Sequence, residues 1–330
     1  MQYNLEHVYD KALPKCLNDF LNYLGTIRGK SKNTLDGYKI DLTMFFRFLK
    51  LYRNLVPENC DFQKIYIADI DNEFLNSVNL SDLFAYISFA EKYRENGAYA
   101  RARKVASLKS FFKYLYNKSK IISENPADEL ESPKIDRRNP IYLTLSESKE
   151  LLKSIDGKFQ ERDYCMITLF LNCGMRLSEL CGINISNIKD DTLTVIGKGN
   201  KERTIYLNNA CLKALNRYLA VRNLEYDKIK DKDALFISKN YSRINKRSVE
   251  MILKKYLKKA GLDDKKYTPH KLRHTAATLM YKYGNVDIRS LQKILGHENV
   301  STTQIYTHVD DEKLREAVNS NPLSDEDDFK

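Results

Sequence analysis

The chain of 330 residues is long enough for two domains that each bury a core, and 42% of its side chains are apolar. Lys and Arg number 55 against 44 Asp and Glu, a net charge of +11. The basic residues are scattered among aromatics and helical patterns, which suits a surface facing a polyanion, although solvated basic faces would give the same count. No apolar run approaches the ~20 residues needed to cross a bilayer, and residues 1–10 read as neither a signal nor a transit peptide, so a cytoplasmic protein without membrane contact is expected.

In chain order, Leu13, Leu17, Phe20, Leu21 and Leu24 recur at helical spacing, and after a break over residues 25–30 the series Leu35, Tyr38, Leu42, Phe45, Phe46 and Leu49 does so again. A third helix is expected over residues 81–93 and a fourth over 99–116, where Val105, Leu108, Phe112 and Leu115 make the apolar stripe. Arg101, Arg103, Lys104, Lys109 and Lys113 are interleaved on that fourth helix, where they could meet backbone phosphates or form a solvated charged face. Periodicity stops between Ser132 and Pro140, a polar, basic stretch with two prolines. The expected organisation is a helical domain over residues 1–131, a linker over 132–142, a second domain over 143–320 and a disordered acidic tail over 321–330.

The second domain opens with helices near residues 146–155 and 161–172. Residues 192–196 and 203–207 carry β-branched side chains on either side of Gly197-Lys198-Gly199-Asn200-Lys201, which reads as a hairpin with a glycine-rich tip. Helices then resume. The fold class is mainly α with a small β-hairpin or sheet. The six cysteines lack C-x-x-C spacing and mostly sit in apolar stretches, as reduced core residues would.

Splitting a phosphodiester without a metal requires a nucleophile in line with the leaving oxygen, cations on the nonbridging oxygens and a proton donor for the departing alkoxide. Four segments of the second domain offer such groups. In Gly174-Met175-Arg176-Leu177-Ser178-Glu179-Leu180 the glycine suits a tight turn that places Arg176 at the mouth of a helix, as a phosphate clamp or as a surface or structural residue. Glu179 could hold Arg176 or be exposed. Lys198 at the hairpin tip could donate a proton to a leaving hydroxyl, or be a solvated lysine; Lys201 is a better candidate for a phosphate contact than for chemistry. In Thr268-Pro269-His270-Lys271-Leu272-Arg273-His274, Thr268 suits an N-cap and Pro269 the first helical position. His270 then falls in the first turn and shares a face with Arg273 and His274. The H-x-x-x-H spacing also fits zinc, but the accompanying glutamate is missing and an arginine presents the wrong charge, so no metal is expected. Gly296 suits a helix stop before His297, Ser301-Thr302-Thr303-Gln304 is a capping box, and Tyr306 follows in a short helix, where a tyrosine can equally be a core or surface aromatic.

In residue type, order and separation the box 174–180, the hairpin GKGNKER, the box TPHKLRH and the run LGHENVSTTQIYTHV resemble the tyrosine recombinases of the phage integrase family, in their XerC/XerD-like branch. The likeness spans nearly the whole chain, with residues 34–49 and 102–116 resembling the helical core-binding domain. It implies a C-shaped clamp of two domains in which Tyr306 attacks the scissile phosphate to give a 3′-phosphotyrosine and a free 5′-hydroxyl. Arg176 and Arg273 would stabilise the transition state, Lys198 protonate the leaving oxygen, and His270 and His297 assist as proton acceptor and phosphate hydrogen-bond donor. Ligation would then need no ATP or other cofactor, in keeping with the absence of a P-loop sequence.

The implied partner is a double-stranded recombination site. Two duplexes would be held by a homotetramer, or by a heterotetramer with a sister recombinase, with room for an activating partner. The segment around Leu314 to Val318 would dock on a neighbouring protomer or pack on its own domain. Residues 1–11 leave no room for the arm-binding domain often found in mobile-element or phage integrases, so chromosome or plasmid dimer resolution is the expected task and an integrase the alternative. A type IB topoisomerase would share the chemistry without needing synapsis; a DNA-binding protein that has kept the scaffold and lost catalysis is the alternative from another class.

Overall fold

The computed structural model describes residues 9–135, 140–197, 202–224, 226–284 and 286–296. Lys198, Lys201, His297, Tyr306 and the 314–318 segment lie outside them. Its contacts divide the chain into two units, Met1–Arg137 and Arg138–Lys330, each with its own apolar core. No described helix is long and apolar enough to cross a membrane.

The first unit is helical because its apolar residues recur every three to four positions and have one another to bury against. Helix α1 (Lys15–Asn22) runs on into a single π turn, Tyr23–Ile27; α2 spans Lys32–Tyr52, α3 Asn72–Asn76, α4 Leu80–Lys92 and α5 Ala98–Tyr114. The stripes seen in the sequence converge: Leu17, Phe20, Leu42, Phe45, Phe46, Leu49, Leu108, Phe112 and Leu115 are all buried. Phe20 meets Phe111 edge-on at 5.3 Å and Phe45 meets Tyr86 at 5.2 Å, arrangements that aromatic quadrupoles favour. Helix α4 begins in a capping box, with the Asn79 side chain accepting from the Asp82 amide and the Asp82 carboxylate accepting from the Asn79 amide.

The most deeply buried charged cluster of this apolar unit joins α2 to α5. Asp41 of α2 is 1% exposed, and its carboxylate accepts from Lys104 Nζ (3.0 Å), Arg103 Nη1 (2.5 Å) and Ser107 Oγ (2.9 Å) of α5. Lys104, expected to meet a phosphate or to lie on a solvated face, does neither: its side chain is 2% exposed and its ammonium is paired with Asp41. The physical reason is spacing, since Lys104 lies four residues before Leu108 and therefore on the buried stripe. Its α5 neighbours are placed differently. Arg101 pairs with Glu91, Lys109 donates to the Asp128 carbonyl at 3.2 Å, and Arg103 pairs with Asp41 while about half of its side chain stays open to solvent.

The second unit is built around α7 (Gln160–Cys173), which is buried on nearly every side and packs between α9 (Asn209–Asn223) and α11 (Pro269–Tyr283). Helix α6 (Leu145–Lys153) enters through a Thr144–Glu147 capping box, and α8 (Leu177–Cys181), α10 (Lys246–Lys259) and α12 (Ile288–Leu295) complete the α-helices among the described residues. The expected hairpin forms from β2 (Thr192–Ile196) and β3 (Glu202–Tyr206), antiparallel with Val195 opposite Arg203. Alternation turns Leu193, Val195 and Ile205 into the core. A two-residue strand, β1 (Ile188–Lys189), extends it to three strands in the order β1-β2-β3. The molecule is thus mainly α with a small antiparallel sheet. All six cysteines are free, and Cys16, Cys165, Cys173 and Cys211 are buried.

Candidate active site

The site is assembled where four helix ends meet. Helix α7 stops at Gly174, whose φ of +59° lies in the left-handed region that favours glycine. A second constraint acts at the same position, because a Cβ there would stand 2.8 Å from Leu295 Cδ2. The turn delivers Arg176 to the N-cap of α8, where its amide donates to Glu179 Oε2 at 2.7 Å and its Nη1 to Glu179 Oε1 at 2.8 Å. Helix α11 starts as its sequence indicates, with Thr268 as N-cap accepting from the Lys271 amide and Pro269 in the first turn. One turn further on, Arg273 is 2% exposed and donates to the Gly174 carbonyl (2.7 Å) and the Leu295 carbonyl (2.6 Å). Helix α12 ends at Gly296, with a left-handed φ of +65°.

Three guanidinium groups therefore converge on the carboxyl end of α12. Arg203 of β3 donates to the Ile294 carbonyl (2.5 Å), Arg273 to Leu295 and Arg176 to Gly296 (2.8 Å). Helix C-termini carry unsatisfied carbonyls and partial negative charge, so cations are stabilising there. Two of the three cations are in turn ordered by Glu179, which is 3% exposed and accepts from both Arg176 and Arg203. Burial pushes the Glu179 pKa up, but the hydrogen bond and charge of Arg203, followed by the amide and guanidinium of Arg176, outweigh it and hold the carboxyl below its usual range.

Arg176, His270 and Arg273 line one open cleft of about 540 Å³, together with Met175, Ser178, Lys246, Glu250 and Thr268. About a third of the Arg176 side chain is open to solvent, so part of its donor fork faces the cleft. His270 opens to solvent at the rim and its ring lies 4.5 Å from that of His274. Partial desolvation, then the positive charges of Arg273, Lys271 and Arg176, push the His270 pKa below its ordinary value, so the imidazole is neutral at pH 7 and able to accept a proton. Arg203 and Lys246 were not singled out in the sequence. Arg203 stands at the start of a strand, where position alone does not distinguish a buried arginine from an exposed one. Lys246 opens α10, where nothing local links it to the other boxes.

A neutral imidazole beside guanidiniums fixed by a buried carboxylate is the equipment of a protein that handles phosphate esters. Comparison with known proteins is more specific. Residues 142–313 match the family model described as "Phage integrase family". Tyrosine recombinase XerC of Caldanaerobacter subterraneus subsp. tengcongensis is 62% identical over 313 residues, covering 95% of this chain and 88% of the relative. Tyrosine recombinase XerC of Thermodesulfovibrio yellowstonii is 37% identical over 319 residues, covering 94% and 97%. Among solved structures, a XerH site-specific recombinase bound to palindromic difH substrate, in a post-cleavage complex, superposes with a TM-score of 0.68 at 23% identity over 89% of this chain and 81% of that one, a likeness of fold. The chain belongs to the phage integrase family, in its XerC/XerD-like tyrosine recombinase branch, and is an enzyme of DNA strand cleavage and rejoining.

Proposed function

We propose that the reaction runs through Tyr306 as nucleophile. Its phenolic oxygen attacks the scissile phosphorus, the bond to the 5′ oxygen breaks, and a 3′-phosphotyrosine and a free 5′-hydroxyl result. Arg176 and Arg273 hold the nonbridging oxygens as negative charge develops, Lys198 gives its proton to the departing 5′ oxygen, and neutral His270 accepts the tyrosine proton while His297 donates to the phosphate. An incoming 5′-hydroxyl reverses the step on the other strand, and the bond energy stays in the phosphotyrosine, so no nucleotide cofactor is consumed. The observation that carries this reading is the convergence of Arg176, His270 and Arg273 in one cleft, with both guanidiniums also bonded to the carboxyl end of α12, the helix that precedes His297 and Tyr306 in the sequence.

The substrate in this reading is a double-stranded recombination site, gripped by the helical unit (residues 1–131) and the catalytic unit (143–320) joined by residues 132–142. Arg101, Arg103, Lys109 and Lys201 are the candidate phosphate contacts. Two duplexes are held by four protomers, of this chain alone or with a sister recombinase, in the cytoplasm. The likeness to XerC supports resolution of chromosome or plasmid dimers as the task. The test is to incubate wild type and Tyr306→Phe, without magnesium, with nicked suicide duplexes carrying a site that the protein binds. Wild type should give a denaturant-resistant protein–DNA adduct and Tyr306→Phe none; an adduct surviving in Tyr306→Phe would assign the nucleophile elsewhere.

A further inference from the structure

Arg203 stands apart from the residues given a part in the chemistry, yet it ties together the segments that carry them. It belongs to β3, five residues after Lys198, and its side chain is 13% exposed, so it points into the unit and away from bulk solvent. Its Nη2 donates to Glu179 Oε2 at 2.8 Å, the carboxylate that also holds Arg176, and its Nη1 donates to the Ile294 carbonyl in the last turn of α12. Its aliphatic stem covers Gly296 so closely that a Cβ there would lie 2.8 Å from Arg203 Cδ. The residue after Gly296 is His297.

We infer that Arg203 is a positioning residue for the strand-cleavage reaction: by clamping the end of α12 to Glu179, it fixes the direction in which the chain leaves Gly296 towards His297 and Tyr306. The argument is geometric. A planar guanidinium can serve a carboxylate and a carbonyl on different elements at once, which a lysine, with a single nitrogen on a flexible stem, does less rigidly. Its charge also suits the negative end of the α12 dipole. A displacement of about 1 Å at a reacting group can cost ~10²-fold in rate, so an anchor on Ile294, three residues before His297, bears on catalysis through the chain that it holds.

The inference rests on Tyr306 as nucleophile and Lys198 as general acid, and the test keeps the two apart. Arg203→Ala, Arg203→Lys, Lys198→Ala and wild type are compared on a suicide duplex and on the same duplex with sulfur replacing the bridging 5′ oxygen at the scissile phosphate. A thiolate leaves without needing a proton, so the sulfur substrate restores cleavage lost with the general acid but not cleavage lost through a misplaced nucleophile. Expected for Arg203→Ala are DNA binding within about threefold of wild type, adduct formation slower by ~10²-fold, and no recovery on the sulfur substrate. Arg203→Lys should be intermediate, and Lys198→Ala should recover.

Recovery of Arg203→Ala on sulfur would move its action to the hairpin and overturn the inference, as would wild-type cleavage, or a loss of binding that parallels the loss of cleavage. If Arg203→Ala does not fold, Arg203→Lys decides by the same criteria; if neither variant folds, the role is structural and the inference fails. Lys198→Ala failing to recover on sulfur would instead count against the general-acid assignment.

Discussion

Each unit of this recombinase buries one carboxylate against two basic side chains, and the individual cations differ in what they have left over. In the first unit, Asp41 is met by Lys104, which is as buried as the aspartate, and by Arg103, about half of whose side chain stays open to solvent. The lysine's charge is spent inside the core and the arginine's is not. In the second, Glu179 is buried to a similar degree, yet Arg176 keeps about a third of its side chain in a solvent-open cleft. The acid there acts as a mount that leaves part of a guanidinium free to work. A buried ion pair is weak grounds for claiming stability and weaker grounds for claiming function. What separates the two roles is whether the cation still faces something outside the pair.

The contrast can be broken most sharply at Arg176. Arg176→Ala should slow adduct formation by about 10²–10³-fold while the fold persists, the range seen when one preorganised donor to a developing negative charge is removed. Single-turnover cleavage with saturating enzyme, beside a thermal melt, measures it; a melt lowered as severely as the rate would make Arg176 a mainly structural residue like Lys104.

The converse experiment is Asp41→Ala, which strands the Lys104 ammonium in an apolar interior. Removing one partner of a buried pair costs about 3–5 kcal/mol, so chemical denaturation should show a large loss of stability while cleavage per folded molecule stays near wild type. A cleavage defect greater than the loss of folded protein would show that the cluster also serves the reaction.

A smaller effect should appear in the pH dependence. The folded-state pKa of His270 lies below its ordinary value of 6.5. Between the two values the unfolded chain binds the proton and the folded chain does not, so this group's contribution to stability rises with pH across that window and is lost on acidification. For catalysis the same shift widens the range in which the imidazole of the free protein is neutral, so the acid limb of the cleavage profile taken at sub-saturating enzyme, which reports the free protein, should have its midpoint below pH 6.5 and disappear in His270→Gln. A midpoint at or above 6.5 would argue against His270 as the proton acceptor.

The legible parts of the molecule were those in which physical constraint is local. Helical periodicity placed α2 and α5 because each buries one continuous stripe, and Thr268-Pro269 marked the start of α11 because cap chemistry acts over three residues. Gly296 was readable as a stop for the same reason. The burial of Lys104 is hard to read from the sequence because its partner lies 63 residues away in α2, although its place on the Leu108 stripe is a usable clue. Strand β1, two residues long, has too little pattern to show, and Arg203 acquires meaning only once α8 and α12 are folded against β3.

The contact between Gly174 and Leu295 also limits how such a sequence can drift. An alanine at position 174 meets both a crowded leucine methyl and a left-handed backbone, so no change there is neutral while Leu295 stays. Shrinking Leu295 first would relieve the crowding at a cost of about 2–5 kcal/mol in lost packing, and even then the backbone would favour asparagine over other newcomers. The two positions, 121 residues apart, form a mutational ratchet: lineages that carry both can lose either only by first passing through a less stable protein.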